Sequence, residues 1–207
     1  MKHELFDIFD EHMNHIGTAT RQDTHTNGYW HQTFHCWIVT RGNDGPALLF
    51  QKRHPDKDTH PNKYDITSAG HLLAGESVED GIRELEEELG LNVPFADLTP
   101  IGTLPVEMRY RELIDREFYH TFLYEADLPL DQYRLQPDEV VGLVRVDAAE
   151  ASRLFAGENE TVPANGLEKG EDGRLVPVSR LLRRSDFVPH GETYYLHILD
   201  AVKRHFL

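Results

Sequence analysis

The chain has 207 residues, enough for one domain with a sizeable core, or one domain and an extension. Its 36 acidic against 21 basic residues give a net charge of −15, which excludes a broad nucleic-acid or anionic-membrane surface but allows a small phosphorylated ligand held by local positive charge and metal. The single cysteine, Cys36, excludes an internal disulfide, and without a membrane-length apolar run or a signal-type segment the chain is expected to be cytoplasmic.

In chain order, residues 4–21 predict a hairpin, with Leu5 to Phe9 and Ile16 to Thr20 flanking a polar turn. Strands are expected at 31–40, 47–53 and 64–68, from β-branched and aromatic content between Gly, Pro and Asp/Asn clusters. Cys36 reads as a buried strand thiol, and His35 as turned to the core beside Trp37. An acidic helix follows at about 77–89, where Gly81, costing about 1 kcal/mol relative to Ala, loosens the first turn. Strands at 101–110 and 116–125 form a second hairpin, and 140–146 supplies another strand. Helices near 147–155 and 192–206 complete the outline, and 157–173, polar and rich in Gly, Asn and Glu, reads as a mobile loop. There is no internal repeat.

The acidic helix carries the chemistry. At about 100° per residue, Glu84, Glu87 and Glu88 share one face, while Val78, Ile82, Leu85 and Leu89 form an apolar stripe on another. Mg²⁺ is a hard cation that keeps several waters and is held by one or two carboxylates plus the phosphates of its substrate, so these acids supply a partial shell. Without a cation they repel at i,i+3 and i,i+4 spacing unless Arg83 offsets them. Gly90 suits the position just past a helix end, where a left-handed backbone favours glycine.

These residues resemble the Nudix box, G-x5-E-x7-R-E-U-x-E-E-x-G-U with U aliphatic. Arg83 to Leu91 matches every specified position, and Gly70 and Glu76 have the right separation, but six residues rather than seven lie between Glu76 and Arg83. Phe6 to Asp10, Gly17 to Arg21, His25 to His31 and Thr67 to His71 further resemble the Nudix branch that includes isopentenyl-diphosphate isomerase and its hydrolase relatives. The resemblance implies an α/β/α sandwich with a mixed sheet, an N-terminal hairpin and a C-terminal helical extension. It also implies one domain over 1–207, with a core at about 30–146 and the extension at about 147–207.

In that branch the isomerases carry a cysteine immediately before the Gly-His of the box, where this chain has Ala69, so hydrolysis of a diphosphate linkage is the favoured reading. The resemblance implies a second divalent ion at His25, His31, His71, Asp115 and Glu117, beside Mg²⁺ or Mn²⁺ on Glu84, Glu87 and Glu88. Mixed imidazoles and carboxylates suit Mn²⁺, Zn²⁺ or Fe²⁺ better than Mg²⁺. Arg83 is expected to hold the acids by ion pairing. Glu88, Glu117 and Glu139 are candidate general bases, and Lys52, Arg53 and Lys63 candidate diphosphate contacts. The expected substrate is a nucleoside diphosphate derivative or another organic pyrophosphate. The alternatives are a ligand-binding Nudix module without turnover and, behind it, the isomerase itself. Neither nucleic acid nor membrane is an expected partner, and the oligomeric state, a dimer included, is left open.

Overall fold

A computed structural model describes residues 4–42, 45–170 and 172–206. The N-terminal hairpin forms as β1 (Leu5–Phe9) and β2 (His15–Thr20), followed by a short helix α1 (Arg21–Asn27) that the sequence reading did not anticipate. Thr20 caps α1 by accepting from the Asp23 N–H, and Gly28 ends it in the left-handed region at φ 66°. Then come β3 (Trp30–Gly42), β4 (Gly45–Arg53), β5 (Tyr64–Asp65), β6 (Ser68–His71) and the box helix α2 (Arg83–Leu89). The second hairpin is β7 (Thr99–Tyr110) with β8 (Leu113–Glu125), followed by β9 (Val140–Asp147) and α3 (Ala148–Phe155). The chain closes with β10 (Val162–Lys169), β11 (Leu175–Leu182) and α4 (Glu192–Phe206).

Among the described residues the strands join one mixed sheet, ordered β11-β10-β9-β4-β3-β1-β2 along its main path. The β8 strand runs parallel to β3, whereas the other ladders are antiparallel. Alternation along β3 sends Phe34, Cys36 and Ile38 towards Leu85 and Leu89 of α2, and Trp37 and Val39 towards α3 and α4. The sheet is thus covered on both faces, and these apolar layers supply the main driving force for folding. His35 is buried beside Trp37, and both side chains bond the Tyr194 hydroxyl of α4.

The expected mobile loop at 157–173 is corrected. Residues 162–169 are β10, paired with β9 on one side and β11 on the other. Its glycine belongs to tight strand packing: a Cβ on Gly166 would meet backbone atoms of Leu143 and Val144. Residues 147–206 therefore add two strands to the sheet as well as helices. No helix among the described residues is long and apolar enough to cross a membrane.

Candidate active site

The shortened box is absorbed in a 3-10 turn at Asp80–Ile82 that leads straight into α2. Gly81 is required there by packing, since a Cβ would lie 2.6 Å from Phe34 Cβ and 2.9 Å from Leu72 Cδ2. The turn brings Glu76 onto Arg83 despite the missing residue: Arg83 Nε donates to Glu76 Oε1 at 2.9 Å and Nη2 to Oε2 at 3.1 Å. The same guanidinium bonds Glu84, lies 3.4 Å from Glu87, and donates to the His71 carbonyl at 3.0 Å. One arginine therefore ties the acids of the box to β6. Gly90 ends the helix at φ 70°, as expected.

The three helix acids do not share one environment. The Glu87 side chain is 53% exposed at the rim, whereas that of Glu84 is 12% exposed and Glu88 is buried. Burial pushes Glu84 up to about 7 and Glu88 up to about 8, with the repulsion of neighbouring carboxylates adding to both. Glu88 Oε2 accepts the Ala69 N–H at 3.1 Å and approaches Gln51 Nε2 at 3.4 Å. Gly70 leaves space for the Glu84 carboxyl, which a Cβ would occupy.

The histidines converge on the other face of β6. His31 faces Glu117 across the parallel β3–β8 ladder, and α1 places His25 beside them. His31 Nε2 lies 3.4 Å from Glu117 Oε1 and 3.6 Å from Asp115 Oδ1, His71 Nε2 3.2 Å from Glu117 Oε1, and His25 Nε2 3.4 Å from Asp115 Oδ1. His25 Nδ1 donates to the Arg21 carbonyl at 2.7 Å and His31 Nδ1 to the Tyr29 carbonyl at 3.1 Å, which aims both Nε2 atoms at the acids. His31 Nε2, His71 Nε2 and Asp115 Oδ1 are buried without a hydrogen-bond partner in the structure. Buried orphan atoms carry a cost of about 1–3 kcal/mol each. A cation would satisfy them, so the residues present fit a divalent metal.

The charges of this centre interlock. Burial pulls His71 down to about 3 and also lowers His25. Burial acts the same way on His31, but the neighbouring Glu117 carboxylate outweighs it and raises the imidazole. Asp115 is pushed up to about 7 by burial and then by Glu117, whereas Glu117 is held well below the usual range because the two imidazoles beside it, His31 and His71, outweigh its burial.

Several contributors were given no role at the site by the sequence, although Phe6 and Asp7 lie in a segment that carries the resemblance. Phe6 of β1 stacks on His71 at 4.7 Å and on His31 at 5.4 Å, so the N-terminal hairpin roofs the centre. Asp7 Oδ2 accepts the Gly75 N–H at 2.8 Å and pins the box loop, and Gln51 touches Glu88. Their partners are remote in the chain, so no local spacing marks them.

Each of the candidate diphosphate contacts has a protein partner. Arg53 Nη1 pairs with Asp65 at 2.9 Å and Nη2 donates to the Thr59 carbonyl at 2.9 Å. Lys63 bonds the Ser185 carbonyl, and Lys52 pairs with Glu168 at 2.7 Å. Glu139 is ion-paired to Lys57 rather than free.

Residues 30–165 match the NUDIX domain family. Over 98% of both chains, the protein is 45% identical to an uncharacterised Nudix hydrolase of Clostridium acetobutylicum. It is 30% identical to an isopentenyl-diphosphate Delta-isomerase of Photorhabdus laumondii, over 60% of this chain and 68% of the other. A crystal structure from Deinococcus radiodurans superposes with a TM-score of 0.56 at 19% identity, covering 74% of this chain and 90% of that one, a likeness of fold. With the box helix, the mixed sheet and these relatives together, the chain belongs to the Nudix family and is a Nudix-type hydrolase.

Proposed function

We propose that the protein cleaves the diphosphate linkage of a nucleoside diphosphate derivative or another organic pyrophosphate, using Mg²⁺ or Mn²⁺. The observation that carries this reading is the pair Glu84 and Glu88: one helical turn apart, both largely buried, and pushed up to about 7 and 8. Two such carboxylates ionise together when a cation joins them, and Mg²⁺ takes that number of protein acids plus substrate phosphates. Glu84, Glu87 and Glu88 would hold it. When bound, such an ion supplies charge neutralisation at the phosphoryl oxygens and a more acidic water.

The chain's own residues do the rest. Arg83 fixes the acids against β6 through Glu76, Glu84, Glu87 and the His71 carbonyl. Burial raises Glu88 to about 8 in the metal-free chain, which makes it a more basic carboxylate than Glu117 and a candidate general base. Glu117 is bound by two histidines and Glu139 by Lys57, which favours Glu88 in this role. His25, His31, His71, Asp115 and Glu117 would hold a second ion, and their imidazole–carboxylate mixture suits Mn²⁺.

The test is phosphate release from a panel of organic pyrophosphates with Mg²⁺ and Mn²⁺, beside a Glu88→Gln control. Metal-dependent release that the control loses supports the reading. No release from any pyrophosphate with either metal would overturn it in favour of a ligand-binding module without turnover.

A further inference from the structure

Strand alternation places the side chains of His31, Thr33, His35 and Trp37 on one face of β3, the face that carries the histidine centre and packs against α4. Thr33 stands opposite His71 on β6 and opposite Tyr119 on β8, one step along the same face from the paired His31 and Glu117. Opposite residues of an antiparallel pair have Cβ atoms about 4.5–5.5 Å apart, which sets Thr33 beside His71 on the floor of the centre. Phe6, stacked on His31 and His71, is its roof.

The Thr33 hydroxyl has no hydrogen-bond partner, although the residue is only 3% exposed. The polar groups on its α4 side are occupied with one another. The Tyr119 hydroxyl pairs with His190 Nδ1 at 3.2 Å, His190 Nε2 donates to Asp65 Oδ1 at 2.7 Å, and His35 Nδ1 pairs with the Tyr194 hydroxyl at 2.9 Å. On the other side of Thr33 the situation is reversed. His31 Nε2, His71 Nε2 and Asp115 Oδ1 are buried without a partner, and they are the atoms that a cation would satisfy. Thr33 Oγ1 therefore shares its missing partner with the metal-binding atoms and not with the network under α4.

We propose that Thr33 is a metal-selectivity residue of the histidine centre, its hydroxyl supplying a neutral oxygen to the shell of the ion. This rests on the reading of His25, His31, His71, Asp115 and Glu117 as a divalent-ion site, and it states which ion that site prefers. Zn²⁺ is satisfied by four donors, which the imidazoles and carboxylates already provide. An ion of octahedral preference such as Mn²⁺ takes six and favours oxygen, whereas the five residues offer one ligand atom each. Thr33 adds an oxygen that only the larger shell uses.

The experiment measures Mn²⁺ and Zn²⁺ affinities of Thr33→Val and Thr33→Ser in a Glu88→Gln background, which disables the helix site, with His71→Ala in the same background as control. Thr33→Val keeps the shape of the side chain and removes its oxygen. Mn²⁺ affinity should fall about tenfold or more in Thr33→Val, with Zn²⁺ affinity close to that of the parent, and Thr33→Ser should keep the parental Mn²⁺ affinity. In chelator the urea midpoint of Thr33→Val should equal or exceed that of the parent, because an unsatisfied buried hydroxyl is replaced by a methyl group. Weaker Mn²⁺ binding without lost stability separates a metal contact from a packing role. Equal Mn²⁺ affinity in Thr33→Val and parent, equal losses for Mn²⁺ and Zn²⁺, a Thr33→Ser as weak as Thr33→Val, or a lowered midpoint in chelator each overturns the proposal. Undiminished Mn²⁺ binding in His71→Ala would remove the ion site and the role of Thr33 with it. Binding lost in His71→Ala but unchanged in Thr33→Val would remove the role of Thr33 alone.

Discussion

The carboxylate of Glu88 accepts the backbone N–H of Ala69 at 3.1 Å, so the last acid of the box touches the position where the resembling isomerases carry cysteine. Ala69 itself packs against the core that includes Tyr119, on the sheet face opposite α2. The two faces of β6 thus separate two chemistries. Glu84 and Glu88 lie on one, and His71 with its partners lies on the other.

Replacing Glu87 or Glu88 by glutamine should reduce turnover by orders of magnitude, because each change removes charge from the metal-facing side of α2 at a cost of several kcal/mol in the transition state. The pH dependence of stability should separate the two. Glu88 has its folded value raised from 4.5 to about 8, so its contribution in the metal-free protein is full at low pH and is lost as pH rises through 8. Metal-free Glu88→Gln should therefore gain on wild type by about 3–5 kcal/mol between pH 5 and pH 9. Urea melts in chelator check this. Parallel curves at all pH values would show that Glu88 is not buried as a free acid.

Binding of Mn²⁺ should release a proton near neutral pH. The neighbouring Glu117 raises the His31 imidazole against the effect of burial, which favours its protonated form without metal, whereas an imidazole must be neutral to act as a ligand. Affinity should therefore weaken as pH falls through the His31 value, raised above the ordinary 6.5, and binding heats should depend on the ionisation heat of the buffer. His71→Ala and Glu117→Gln should each lose the ion. Unchanged metal content in both variants would leave only the helix site.

Gly81→Ala offers a test in which propensity and packing disagree in sign. Helix propensity alone assigns the change a gain of up to about 1 kcal/mol. The Cβ would meet Phe34 and Leu72 at 2.6 to 2.9 Å, and overpacking of this kind costs about 1–3 kcal/mol. A lowered midpoint in urea is expected, and a raised one would show that the 3-10 turn can relax.

Purified protein should not convert isopentenyl diphosphate into its allylic isomer. Ala69 has no group to exchange a proton with the allylic carbon, and Cys36 is fully buried on the α2 side of β3 with its thiol pushed above the usual range by burial. Isomerisation that persists in Cys36→Ser would reverse the assignment of this chain to hydrolysis.

The box helix was legible in the sequence because its determinants are local. The i,i+4 spacing of Glu84 and Glu88, the apolar pair Leu85 and Leu89 and the terminal Gly90 act within one short stretch. Strand alternation was equally local, which is why β3, β4 and the β7–β8 hairpin agree with their expected positions within a few residues. The β10 strand was not legible, since its Gly and Asn are turn residues by composition and become strand residues only when β9 and β11 flank them. The separation of the helix acids into a rim residue, Glu87, and two inward ones, Glu84 and Glu88, was also decided by tertiary structure, because burial depends on how α2 docks against β6. The same holds for the histidines. The family resemblance could nominate His25, His31, His71, Asp115 and Glu117, but their convergence depends on the β3–β8 register, the placement of α1 and the Phe6 roof, contacts made between segments far apart in the chain.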